Sequence, residues 1–242
     1  MTINNLERLI KQSLIELQSI GSESEGTGKE QKSKLIFPKY CVGNQNHADK
    51  KRISEQEARF LFVRELELEK QTGFYYSIET PTKQSYKFSD KTQKEYEPQI
   101  VDVSDGGQSA RVDVTLYVKE DDNVRRKHLI EFKHGNSDSC KKDFLKLLCD
   151  EYAEDKEGLI NYYINILERD DLEKRNTIKS VIKKYQDAIE HLKQKDDLKS
   201  NSTLKIILFN IKDGYTLLFE DINLADNTSV RPKCGMNIRK LW

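Results

Sequence analysis

The chain has 242 residues, 36% hydrophobic and 34% charged, a length that suits one large domain with a sizeable core. Lys plus Arg (41) equals Asp plus Glu (41), and the zero formal net charge argues against coating nucleic acid or membrane through a global positive field, though a local basic groove remains open. No apolar run reaches about 18 residues, the N-terminal stretch has no small-residue cleavage site, and Cys41, Cys140, Cys149 and Cys234 form no CxxC pair; the expectation is a cytoplasmic protein with no membrane partner, disulfide framework or zinc module.

Leu6, Leu9, Ile10, Leu14, Leu17 and Ile20 recur at helical spacing, so residues 1–20 read as an N-terminal amphipathic helix. Residues 21–34 hold no apolar side chain and read as a flexible linker. The helix is then detached and needs a partner for its apolar face, for which a homodimer is the default expectation. Residues 35–242 form the remaining domain, irregular at first and broken by Pro38 and Gly43.

Ser54 with Glu57 three residues on is a capping box, and a helix follows until Gly73. Residues 74–80 are aromatic and β-branched and predict a strand ending at Pro81. Residues 81–108 read as a polar excursion with little regular structure. Residues 109–118 and 127–135 alternate as two strands around a polar turn. Helices are predicted over 140–153, about 157–169 and 174–195, and a hairpin around Lys212-Asp213-Gly214. After the first helix the expected order is α-β-β-β-α-α-α-β-β.

A turn centred near Asp122 pairs residues whose numbers sum to about 244, which sets Asp113 beside Glu131. Lys133 projects from the same face as Glu131. Adjacent carboxylates repel unless a cation lies between them. Mg²⁺ suits such a site, taking one or two carboxylates and completing its shell with water and phosphate oxygens.

Glu131-Phe132-Lys133, preceded by Asp113 on the neighbouring strand, resembles the metal-binding element of the PD-(D/E)xK phosphodiesterase superfamily. Residues 52–59, 76–81, 107–113 and 142–147 resemble uncharacterised bacterial members. Arg111-Val112 stands where the motif's proline would be. The resemblance covers about residues 52–210. It implies an α/β fold with a restriction-endonuclease-like core, a central mixed β-sheet flanked by helices (α-β-β-β-α-β), and extra C-terminal helices and a hairpin.

The same resemblance implies a nuclease dependent on Mg²⁺ or Mn²⁺, with DNA preferred over RNA, of a kind used in defence or by mobile elements. Asp113 and Glu131 would hold the metal with the Phe132 carbonyl, and Lys133 would orient or deprotonate water and stabilise transition-state charge. An acid of the first core helix often completes such a site, and Glu57 and Glu55 both qualify; Glu57 is equally explained by its cap and Glu55 by solvation. His134, Lys141 and Lys142 are candidates for contacting nucleic acid, against the plainer reading of a strand end and a solvated charged face. The alternative function is a non-catalytic module that keeps the nuclease fold to bind nucleic acid or protein.

Overall fold

The computed structural model describes residues 3–21, 35, 53–69, 73–88, 100–103, 106–120, 123–135, 140–150, 159–168, 175–195, 198, 200–212, 214–225 and 230–237. It is an α/β structure with an open mixed sheet flanked by helices. The helices are α1 (Ile3–Gly21), α2 (Glu55–Leu68), α3 (Cys140–Cys149) and α4 (Arg175–Lys193). The strands are β1 (Phe74–Phe88), β2 (Ile100–Val103), β3 (Gln108–Glu120), β4 (Asn123–His134), β5 (Ile160–Leu167), β6 (Thr203–Asn210), β7 (Tyr215–Phe219), β8 (Ile222–Asn223) and β9 (Pro232–Asn237). The sheet order is β2-β1-β3-β4-β5-β6-β7-β9, with β8 on β6. β4, β5 and β6 run parallel at its centre, and both flanks are antiparallel.

Three expectations are corrected. Residues 160–167 form the strand β5, not a helix. In β5, Tyr162, Ile164 and Ile166 pack on the core beneath α1 and α2, while Tyr163 and Leu167 pack on the core beneath α3 and α4. A central parallel strand buried on both faces is continuously apolar and loses the alternation that marks a strand. β1 does not stop at Pro81 but runs to Phe88 and pairs with β2 inside the stretch read as irregular. Pro81 is tolerated beside a break in the β1–β3 ladder, whose register shifts between Pro81 and Ser85.

The third correction concerns α1. Its six periodic apolar residues are buried in one cluster with Leu61 and Phe62 of α2, Ile130 and Phe132 of β4 and Phe209 of β6. The cover for its apolar face is this chain's own sheet and α2, so nothing about that face calls for a second copy. Burying each such side chain stabilises by about 1.5–3 kcal/mol. The expected linker at 21–34 lies outside the described residues except for Gly21, which ends α1.

The hairpin at 212–214 is present, joining β6 to β7 with Gly214 at φ 69°. The capping box is formed as read, with Ser54 N–H donating to the Glu57 carboxylate at 2.8 Å. Among the described residues, no helix is long and apolar enough to cross a membrane. Cys140 and Cys149 are buried free thiols.

Candidate active site

The β3–β4 hairpin sets the site. Glu120 pairs with Asn123 next to the turn, and one extra residue, Lys127, falls between Leu116↔His128 and Tyr117↔Arg126. That bulge restores the register to Val114↔Ile130, the last pair of the ladder. Beyond it the two strands exchange side chains for backbone. Phe132 N–H donates to Asp113 Oδ2 at 2.7 Å, and Asp113 N–H donates to Glu131 Oε2 at 3.2 Å. The two acids are therefore neighbours, each anchored by the opposite strand's amide.

Each acid also meets a cation. Lys146 of α3 pairs with Glu131 and donates to the Arg111 carbonyl at 2.9 Å. Arg59 of α2 lies 3.3 Å from Asp113 Oδ1 and pairs with Glu79. Glu79 has φ 51°, the one non-glycine residue with positive φ among those described, and sits between the paired residues Ile78 and Thr80. Such a left-handed residue costs about 1–3 kcal/mol and is kept where the surroundings impose it.

Lys133 has Glu55 Oε2 at 3.7 Å and Asp143 Oδ2 at 3.9 Å. Asp143 is fully buried between the lysines, with Lys146 Nζ 3.3 Å from its Oδ1. Neither of its oxygens has a hydrogen bond, so these ion pairs alone hold its charge. Five carboxylates (Glu55, Glu79, Asp113, Glu131, Asp143) thus face three cations (Arg59, Lys133, Lys146), a surplus of two negative charges.

That surplus and the burial show in the titration of the acids. Burial pushes the Glu131 carboxyl up to about 8 against the pull of Lys146, with Asp143 and Asp113 adding to the rise. Burial pushes Asp113 up to about 6, opposed by the Phe132 amide. Lys133 is pulled down by burial, but Asp143, Glu55 and Glu131 outweigh this and hold its ammonium above the usual lysine value. Lys146 is likewise raised, by Glu131 and Asp143 against burial. All the lysines here carry charge at neutral pH.

The structure thus brings Asp113, Glu131, Lys133 and Glu55 together. The Glu57 carboxylate is taken up at the helix start, on the Ser54 amide and hydroxyl. Phe132 packs its ring against Phe62 at 5.8 Å and contributes its backbone to the site. His134 follows at the strand end, its Nε2 buried without a hydrogen bond. Lys141 and Lys142 are half-buried in the first turn of α3, on the helix that carries Asp143 and Lys146.

Sequence reasoning did not pick out Arg59, Glu79, Asp143 or Lys146 as site residues. For the last two a signal exists: Asp143 and Lys146, spaced i and i+3, fall among positions where α3 is otherwise apolar. Among the described residues, no group of three or more His, Cys, Asp or Glu side chains is close enough together to hold a metal ion. The hard oxygen donors on hand are two carboxylates and a backbone carbonyl, a set that suits Mg²⁺ or Mn²⁺ when water and phosphate complete the shell. Comparison of the chain with family models, with curated proteins and with solved structures finds no match.

Proposed function

We propose that the chain is a nuclease, dependent on Mg²⁺ or Mn²⁺, that hydrolyses phosphodiester bonds in nucleic acid, with DNA the favoured substrate and defence or mobile-element biology the favoured setting. The observation that carries this reading is the pairing of Asp113 and Glu131 where β3 and β4 part, with Lys133 two residues on along β4. With the four-residue β2 between β1 and β3 set aside, the order α2-β1-β3-β4-α3-β5 supports the reading through the α-β-β-β-α-β core that the resemblance implies.

In this reading Asp113, Glu131 and the Phe132 carbonyl hold the cation. When bound, it would neutralise phosphoryl oxygens and lower the pKa of a water. Asp113 and Glu131 are fixed for this by the amides of the opposite strand, so little ordering remains to be done on binding. Lys133 directs its ammonium at the developing negative charge, and Asp143, behind it, holds that ammonium in place. Arg59, bridging Asp113 and Glu79 at the partly exposed edge, is placed to take a substrate phosphate by its guanidinium fork.

The test is incubation of pure protein with plasmid, linear duplex, single-stranded DNA and RNA, each with Mg²⁺, Mn²⁺ or EDTA. Cleavage in either metal that EDTA abolishes supports the reading, and no cleavage of any substrate sinks it. One observation favours a second reading, a binding module without catalysis: Lys146 and Arg59 already sit on the two acids. In that case nucleic acid is retained equally in EDTA and in Mg²⁺, and remains intact.

A further inference from the structure

A cavity of about 400 Å³ lies between α1 and the strands β5, β6, β7 and β9. It shares no residue with the carboxylate cluster, and its size falls within the range of pockets that enclose small ligands. Ile10 and Leu14 of α1 wall it on one side, Ile207 and Leu218 of the sheet on the other.

Two hydroxyls in this lining are left unmet by the protein. Tyr162 and Thr216 are 0% and 2% exposed, and neither Tyr162 Oη nor Thr216 Oγ1 has a hydrogen-bond partner. Buried hydroxyls are nearly always satisfied, so each asks for a polar atom inside the cavity. The sheet register sets the two at opposite ends of it. Tyr162 stands beside Lys205, and Thr216 beside Phe209, four residues or about 13 Å further along β6. α1 runs the same way, with Glu7 paired to Lys205 at one end and Gln18 packed on Gly214 beyond the other. Burial pushes the Tyr162 hydroxyl up, with Glu7 and Asp221 adding to the rise, so it stays neutral and lies toward the Lys205 end. One polar atom cannot serve both hydroxyls.

The depth of the hydroxyls decides the charge of what meets them. The charged lining residues, Glu7, Lys11, Lys205, Asp221 and Lys233, are all half-buried or exposed, so they mark the mouth. There Lys205 is engaged by both acids, with Glu7 at 2.7 Å and Asp221 at 3.8 Å. Below the mouth the lining is hydrocarbon and the two neutral hydroxyls. An ion drawn to that depth would lose its water without gaining a counter-charge, which disfavours charged ligands there.

We propose that this cavity binds an elongated, uncharged molecule with an apolar middle and a hydrogen-bonding group at each end, one on Tyr162 and one on Thr216. The experiment is calorimetric titration of the full chain with octane-1,8-diol, octan-1-ol, octanedioate and octane-1,8-diamine. The expected result is one diol per chain, held about tenfold or more tighter than each of the others. The monoalcohol leaves one buried hydroxyl unmet, and the two ions pay for lost water.

Tyr162→Phe and Thr216→Val each delete one hydroxyl at nearly constant shape and should each weaken the diol about tenfold. Without ligand, each should melt no lower than wild type, since the hydroxyl removed has no partner to lose. Should either variant fail to fold, the four ligands on the wild-type chain still decide. No binding of the diol, equal affinity for diol and monoalcohol, or equal affinity for diol and either ion overturns the proposal. So does undiminished diol binding by both variants, or a lowered melting temperature in both, which would show that the hydroxyls are bonded within the protein.

Discussion

Lys133 and Lys146 share Asp143 as an ion-pair partner but should fail in opposite ways. Lys146 is almost fully buried, and Lys146→Ala strands Glu131 and Asp143 without their cation. Breaking a buried pair in this manner costs about 3–5 kcal/mol; urea unfolding in EDTA should show that loss. Lys133 is more exposed, and Lys133→Ala should barely move stability but lower cleavage by about 10² or more, the scale of a lost electrostatic or acid-base group. Equal stability losses in both variants would remove the distinction drawn between them. His128 offers a pH test clear of the site. Its ring is packed against Phe74 and Tyr162, with Nδ1 2.6 Å from the Ile160 carbonyl oxygen. Burial pushes it down to about 4 from an ordinary 6.5. The folded state therefore binds fewer protons than the unfolded between those pH values, and stability is lost as pH falls from 6.5 to 4. The loss is about 3 kcal/mol. Asp113 and Glu131, both raised, add the opposite slope to wild type and variant alike, so the test is the difference: in denaturant melts across that window His128→Asn should gain on wild type as pH falls.

Among the elements, α1 decides how the chain is divided. With six apolar residues buried in the same cluster as the sheet, its deletion should expose Phe209, Ile211 and Ile164 and unfold or aggregate the remainder. Leu9→Ala alone should cost about 2–5 kcal/mol. A truncated chain that keeps its melting temperature and stays monodisperse on gel filtration would restore the detached helix read from the sequence. That reading failed for a definite reason: amphipathicity shows that a helix has an apolar face, not what covers it. The β3–β4 pairing was legible because a polar turn and two alternating runs mark a hairpin; the pairs beside the turn sum to 243, and the bulge at Lys127 brings the sum to the expected 244 at the site. β5 was not legible, since burial on both faces erased its period. Asp143 and Lys146 were hidden because charges on a helix read as solvated, and only the fold reveals that α3 is buried nearly all round.

For the whole molecule, the surplus negative charge at the junction of α2, α3 and the hairpin predicts a stability linked to divalent cations. Mn²⁺ should raise the melting temperature of the wild type, by about 2.7 kcal/mol of stabilisation at a hundredfold excess over its dissociation constant. Asp113→Asn and Glu131→Gln should lose most of that shift, each measured against the same variant in EDTA. A Mn²⁺-induced shift that survives in both variants would locate the cation elsewhere.

The ion pair between Glu7 and Lys205 joins residues 198 positions apart. At ribosomal speeds of about 5–20 residues per second, the α1 surface that faces β6 waits some 10–40 seconds for its strand to be made. Docking on α2 is available sooner, but it covers only part of the apolar stripe. Through that interval the growing chain carries greasy surface that a holdase chaperone would recognise. Its yield in cells should therefore follow translation speed and chaperone supply more closely than its final stability.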